Sequence, residues 1–188
     1  MSLIEKYVFT GENKGMNLLI LGGVHGNETA GIKAGFRVVE EIKQGKIKLQ
    51  NGRLTIVPVC NPAAYQKDVR SIEENLNRVM KMHLNPQSYE QCLANEICPL
   101  IKANRMLLDL HSTHCQGDVP FAFCDYADEY NMPLINALDV DYVLEGWPAM
   151  YAAQGEITDF STEGYAHFCG KRQCRFVGKP RNIRYLQR

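Results

Sequence analysis

Two imidazoles and one carboxylate have the types and spacing to do chemistry in this chain. His25-Gly26-Asn27-Glu28 sets an imidazole and a carboxylate three positions apart across what reads as a strand-to-helix turn, so both side chains can converge on one point. His111 closes the segment Asp109-Leu110-His111, 83 residues beyond Glu28. Two His and one Glu form the donor set of a catalytic zinc, which keeps a fourth position open for water. H-x-x-E alone is a weak signal, because a lone His at a strand end is more often a hydrogen-bonded structural residue. The third donor at a matching strand end is what strengthens it. His83, His114 and His167 lack such placement and read as solvent or loop residues, with His114 a candidate to stand behind a ligand.

The elements that must carry these groups follow from hydropathy. Residues 17–24 are a continuous apolar run ending in glycines, which suits a central strand buried on both faces and stopping at His25. Over 28–43, Ile32, Phe36, Val39 and Ile42 recur at helical spacing, predicting an amphipathic helix that places Glu28 in its first turn, where the backbone dipole favours an ionised carboxylate. Residues 54–60 are rich in β-branched side chains and are closed by Asn61-Pro62, giving a second strand. Residues 106–110 predict another buried strand running straight into His111. In open α/β sheets ligands bind beyond the carboxyl ends of the strands, which is where both histidines fall.

Between these, residues 61–88 read as a long loop with a short helix, and loops of that length in a compact domain are usually functional. Ser88 and Gln91 have capping-box spacing ahead of Tyr89, Leu93, Ile97 and Leu100/Ile101, predicting a helix of about 14 residues. Further strands are expected at 121–124 and 140–144, with a helix within 125–138. The alternation predicts an α/β fold: a three-layer α/β/α sandwich with a mostly parallel, mixed sheet.

Composition sets outer bounds. At 188 residues, 45% apolar and 22% charged, the chain is long enough for one globular domain with a real core, which excludes a mini-protein, a disordered chain and a collagen-like repeat. Apolar runs such as 18–21 fall far below the ~18 residues of a membrane helix, and residues 1–6 lack the apolar stretch of a signal peptide, so a cytoplasmic protein with no membrane partner is expected. The seven cysteines show no paired zinc-ribbon spacing and are expected reduced and mostly buried. Charges balance at 21 each, yet residues 171–188 hold seven Lys/Arg and nothing after Glu163 is acidic. A basic tail can be a nucleic-acid arm; another explanation is given below, and no nucleic-acid partner is expected.

Five ordered motifs then stand out: His25-Gly26-Asn27-Glu28; Asn61-Pro62-x-Ala64; Arg70; Asn75-Leu76-Asn77-Arg78; and Asp109-Leu110-His111-Ser112-Thr113. In this order they resemble the succinylglutamate desuccinylase and aspartoacylase family, over roughly residues 15–165. The resemblance implies a zinc-carboxypeptidase-like fold and hydrolysis of the amide of an N-acylated amino acid. It implies His25, Glu28 and His111 as zinc ligands, Arg70 polarising the substrate's amide carbonyl, and Asn77 with Arg78 gripping the amino-acid carboxylate. The chemistry agrees: a developing oxyanion needs a fixed positive donor, and an Arg fork matches a carboxylate where Lys would not. The alternative, that Arg70 and Arg78 pair with Glu73 and Glu74 on a solvated turn, stays open. Asn75 departs from the family's usual Asp, which affects how Arg78 or a metal ligand is oriented.

The mechanism also needs a general base to take the water's proton and return it to the departing amine. In the family this is a Glu on a later strand, followed closely by Gly. Glu163-Gly164 is the candidate here, although its flanks do not read as a buried strand; Glu145 and Glu156 are weaker alternatives. From His167 onward the composition loses helical and strand periodicity where the family's pattern calls for a strand. Read one nucleotide later, with suitable synonymous codons, 167–187 would encode a strand, a Glu before a Gly and several acidic residues. The expectation is therefore a zinc hydrolase catalytic domain at 1–166 and an atypical basic tail at 167–188, produced by a frameshift near residue 165. A metallocarboxypeptidase and a zinc-binding remnant without turnover are the competing readings. The motifs do not identify the acyl group or the oligomeric state.

Overall fold

Within the run at 17–24, residues 18–22 have no polar side to offer water, and they form an inner strand of the sheet. In the computed structural model, which describes residues 2–113, 120–123, 132–138, 140, 142–144 and 172–177, β2 (Asn13–Gly22) lies between β3 (Asn51–Val57) and β4 (Met106–His111), parallel to both. Strand β1 (Tyr7–Thr10) runs antiparallel along β3. Beyond β4 come β7 (Arg172–Val177), then β5 (Phe121–Phe123) and β6 (Tyr142–Leu144), so the seven strands are ordered β1-β3-β2-β4-β7-β5-β6.

Alternation along β2 divides the layers. Leu19 and Leu21 are fully buried with Val57 and Leu107 against Leu93, Ala94, Ile97 and Ile101 of α3 (Tyr89–Ala103). Leu18 and Ile20 face the other way, toward Val38, Val39 and Ile42 of α1 (Thr29–Lys43) and toward Ile135 of α4 (Met132–Leu138). This is the expected three-layer α/β fold with a mixed, mostly parallel sheet. A short α2 (Pro62–Gln66) and a 3-10 turn (Leu76–Arg78) punctuate the predicted long loop.

Three details differ from the sequence reading. Glu28 is the N-cap of α1, one position ahead of the helix. Phe36 is exposed, and the helix instead turns Gly31, Ile32, Gly35 and Val39 inward. Small residues win there because the helix lies close to the sheet: a Cβ at Gly31 would stand 2.7 Å from that of Leu110. The third concerns the tail, expected to lack a strand. Its residues 172–177 pair in parallel with β4, from Met106↔Arg172 to His111↔Val177, and antiparallel with β5. Pairing there is directed by two neighbouring strands whose backbone groups need partners, so side-chain alternation is a poor guide.

Cys60 and Cys98 are free and buried, and Cys92 is free and half-buried. Burial pushes the Cys98 thiol up to about 12, and burial with the nearby Asp109 charge raises Cys60 well above its ordinary value. Burial thus favours the protonated thiol at both positions. Among the described residues no helix is long and apolar enough to cross a membrane.

Candidate metal centre

Parallel neighbours end on the same side of a sheet, so β2 and β4 deliver His25 and His111 to one place, with Gly22 level with Leu110. Between β2 and α1 the chain turns through Gly23, which adopts φ +61°, and through Gly26, which packs against the backbone of α2. These turns bring Glu28 back over the strand ends. His25, Glu28 and His111 are all buried, and their ligating atoms lie within 4.8 Å of one another.

Each of the three side chains is held from behind. Glu28 Oε1 faces His25 Nδ1 at 2.7 Å and accepts from Arg70 Nη1 at 3.1 Å; Oε2 faces His111 Nδ1 at 2.9 Å and accepts from Ser112 N at 2.9 Å. At the far side of the rings, His25 Nε2 meets Asn75 Oδ1 at 3.0 Å and His111 Nε2 meets Asp109 Oδ2 at 2.8 Å. Asn75 Oδ1 also accepts from the backbone N of Asn77, which fixes it as the oxygen and makes His25 Nε2 the donor. At His111 the outer partner is a carboxylate, and an N–H at Nε2 is what its oxygen would take up.

These contacts test whether the residues fit a metal. Burial lowers the His25 pKa, partly opposed by the Glu28 contact, so the ring is neutral near pH 7. Glu28 is pushed up by burial, but its contacts with His111 and His25 outweigh that and hold it well below the usual carboxylate range. A neutral imidazole has one N–H; with the outer Nε2 atoms on Asn75 and Asp109, the two Nδ1 atoms and the Glu28 carboxylate are the groups turned toward one another, and a cation among them would find three donor atoms. Donors about 2.0–2.1 Å from one zinc-like ion stand roughly 3.3 Å apart, and the three side chains are close enough to reach that spacing. The outward Asn75 and Asp109 contacts fix the rings as metal-binding histidines require.

The remaining expected site residues fall on the loop ahead of α3. Arg70 has its guanidinium on Glu28, and its carbonyl accepts from Gly26 N at 3.2 Å. Asn77 is buried, while Arg78 is exposed and donates from Nη1 to the Asn77 carbonyl at 2.7 Å. Glu73 and Glu74 follow on the same loop. They turn to the start of α3, where Glu73 accepts from Tyr89 N and Glu74 from Ser88 Oγ and Gln91 Nε2. Glu145, Glu156, Glu163, His114 and His167 lie outside the described residues; His83 is half-buried, its Nε2 on the Val79 carbonyl. Sequence reasoning assigned no role to Asp109, although its position two residues before His111 on one strand puts both on the same face. Glu90, fully buried near the loop, gave no signal at all.

Known proteins carry the same arrangement of chain. Residues 14–167 match the succinylglutamate desuccinylase/aspartoacylase catalytic domain. A succinylglutamate desuccinylase of Vibrio vulnificus is 33% identical over 103 residues, 50% of this chain and 30% of its own length. Among solved structures, an aspartoacylase family protein from Mesorhizobium loti superposes with a TM-score of 0.75 at 24% identity, over 93% of this chain and 55% of the other. A tripeptide-bound cell shape determinant protein from Helicobacter pylori gives a TM-score of 0.71 at 16% identity, over 93% and 49%. The chain thus spans about a third of the curated relative and about half of these solved chains. With the ordered motifs, the paired strand ends and a family match over most of its length, the chain belongs to the succinylglutamate desuccinylase/aspartoacylase family.

Proposed function

We propose that His25, Glu28 and His111 hold one zinc ion and that the site hydrolyses the amide bond of an N-acyl amino acid. The observation that carries this is the convergence of two histidine Nδ1 atoms and an ionised glutamate at the ends of adjacent strands, with the Arg70 guanidinium on that glutamate. Zinc in such a site supplies Lewis acidity toward a carbonyl and lowers the pKa of water toward ~7. Arg70 spends one Nη1 donor on Glu28 and has others for the carbonyl oxygen, where charge develops. Asn77 and Arg78, on the same loop, bind the amino-acid carboxylate. In the overall step water's oxygen joins the carbonyl carbon and the C–N bond breaks. The proton taken from water goes to the leaving amine, through a base for which Glu163 is the candidate.

Purified protein assayed for zinc and for turnover of N-succinylglutamate, N-acetylaspartate and short peptides tests the reading. One zinc per chain with release of the acyl group is the expected result. Release of C-terminal residues instead would make it a carboxypeptidase, a reading that the tripeptide-bound relative favours. Zinc without hydrolysis would make it a remnant. That second reading has its own support, because β7, next to the ligand strand β4, reads Arg-Gln-Cys-Arg-Phe-Val and offers no carboxylate.

Two variants probe the roles within the site. Arg70→Ala should lower kcat about 100-fold or more with zinc content retained, and Arg70→Lys should not restore it, since a point charge lacks the fork. Equal kcat in Arg70→Lys and the native chain would remove Arg70 from carbonyl polarisation. Asn75→Asp should tighten zinc about 10-fold in chelator competition, because a carboxylate on His25 Nε2–H raises the basicity of Nδ1. Unchanged affinity would mean that the amide already orients the ring as well as an acid can.

A further inference from the structure

Loop 70–78 carries Arg70, Asn75, Asn77 and Arg78, all given roles above, and a single buried carboxylate outside the site holds its middle. Glu90 is the second residue of α3 and has no exposed surface. A buried carboxylate is costly unless its oxygens are filled with donors. Here Oε1 accepts from Ile72 N at 2.7 Å and Asn61 Nδ2 at 3.0 Å, and Oε2 from Glu73 N and Glu74 N, both at 3.2 Å. Burial raises the Glu90 pKa, but those four donors outweigh it and the group is ionised.

Three consecutive backbone N–H groups on one carboxylate fix that stretch of loop as a rigid arc. On its near side lies Arg70, on Glu28; on its far side lies Asn75, on His25. The fourth donor ties the arc to the sheet, because Asn61 donates its own N–H to the Gly23 carbonyl in the turn that leads to His25. Glu73 and Glu74 return the grip by capping the start of α3. The helix itself is anchored by Leu93, Ala94, Ile97, Cys98 and Ile101 in the core.

We propose that Glu90 is a positioning residue for the metal centre: by fixing residues 72–74 it holds Arg70 against Glu28 and Asn75 against His25. The proposal rests on the metal reading above and adds to it a device that touches neither metal nor substrate. Its effect passes through the tautomer and orientation of His25, so it is read in metal binding independently of turnover.

The test compares Glu90→Gln with Cys98→Ala, which weakens the core of the same helix about two turns beyond the carboxylate. Zinc affinity is measured by chelator competition, the visible absorption of the Co2+-loaded protein is recorded, and Tm is measured for each. Glu90→Gln turns an N–H2 group toward N–H donors and should weaken zinc about 10-fold and alter the Co2+ spectrum. Cys98→Ala, at a comparable loss of Tm, should leave both as in the native chain. Glu90→Asp keeps the charge but shortens the reach by one methylene; if Glu90→Gln does not fold, it should show the same two changes to a smaller degree. Native zinc affinity and an unaltered Co2+ spectrum in whichever of these folds would overturn the positioning role while leaving the metal site intact. A native chain that takes up neither ion would overturn the metal reading and this one with it.

Discussion

Glu28→Gln should abolish tight zinc binding and lower the stability of the metal-free protein. Zinc held by a folded protein site is worth roughly 10–16 kcal/mol, so one of four contacts carries about 3–4 kcal/mol, or a factor of ~100–1000 in affinity. Glu28 is the ligand that both histidines face, and its loss removes the only negative charge among the three ligands. The metal-free protein loses stability too. A glutamine oxygen can still accept from Ser112 N, but its N–H2 group then stands where Oε1 accepts from Arg70 Nη1, and the ionised carboxylate that its neighbours stabilise is gone. Calorimetry in chelator and then in excess zinc checks both halves. Zinc at 100 times its Kd adds about 2.7 kcal/mol, which for a chain of this size raises Tm by roughly 5–10 °C. The native protein should show that rise and Glu28→Gln none; a zinc-induced rise that survives the substitution would remove Glu28 from the ligand set.

What could be read from the sequence was what is local in it. Strand β2 was legible because seven consecutive apolar or glycine residues, 18–24, leave a chain no amphipathic choice, and His25 could be placed because it follows such a run directly. Helix α3 announced itself through Ser88, whose hydroxyl does accept from Gln91 N; the reciprocal glutamine contact goes to Gln87 N instead of Ser88 N. Convergence of His111 with His25 was inferred from strand ends alone, and the parallel register of β2 and β4 supplies the reason.

Illegible features depend on partners distant in the chain. Phe36 matched the helical stripe, but the stripe facing the sheet is set by how closely α1 can approach, and two glycines decide that. Strand β7 has no pattern of its own because its neighbours dictate it. The destination of Glu73 and Glu74 could not be read either. Each has arginines nearby in sequence, yet both face the start of α3, where Glu73 takes the unpaired Tyr89 N–H and Glu74 the side chains of Ser88 and Gln91.

Gly26→Ala is the substitution expected to damage fold and centre together. An added Cβ would stand 2.2 Å from the carbonyl carbon of Ala64 and 2.3 Å from Tyr65 N, contacts with backbone that no side-chain rotation can relieve. Either α2 or the turn must move. Helix α2 is fixed by Pro62 and by Asn61, whose side chain caps it and donates to Glu90. The turn is fixed by the Gly26 N–H on the Arg70 carbonyl and by His25 and Glu28 on either side. Overpacking of this kind costs about 3 kcal/mol, a fall in Tm of roughly 6–12 °C. Because the displaced turn carries two of the three ligands, zinc affinity should fall at least about 10-fold as well, beyond what Cys98→Ala produces at an equal loss of Tm. A Gly26→Ala protein with the native Tm and native zinc affinity would mean that the turn and α2 do not approach this closely, and the spacing of His25 and Glu28 would then need another source.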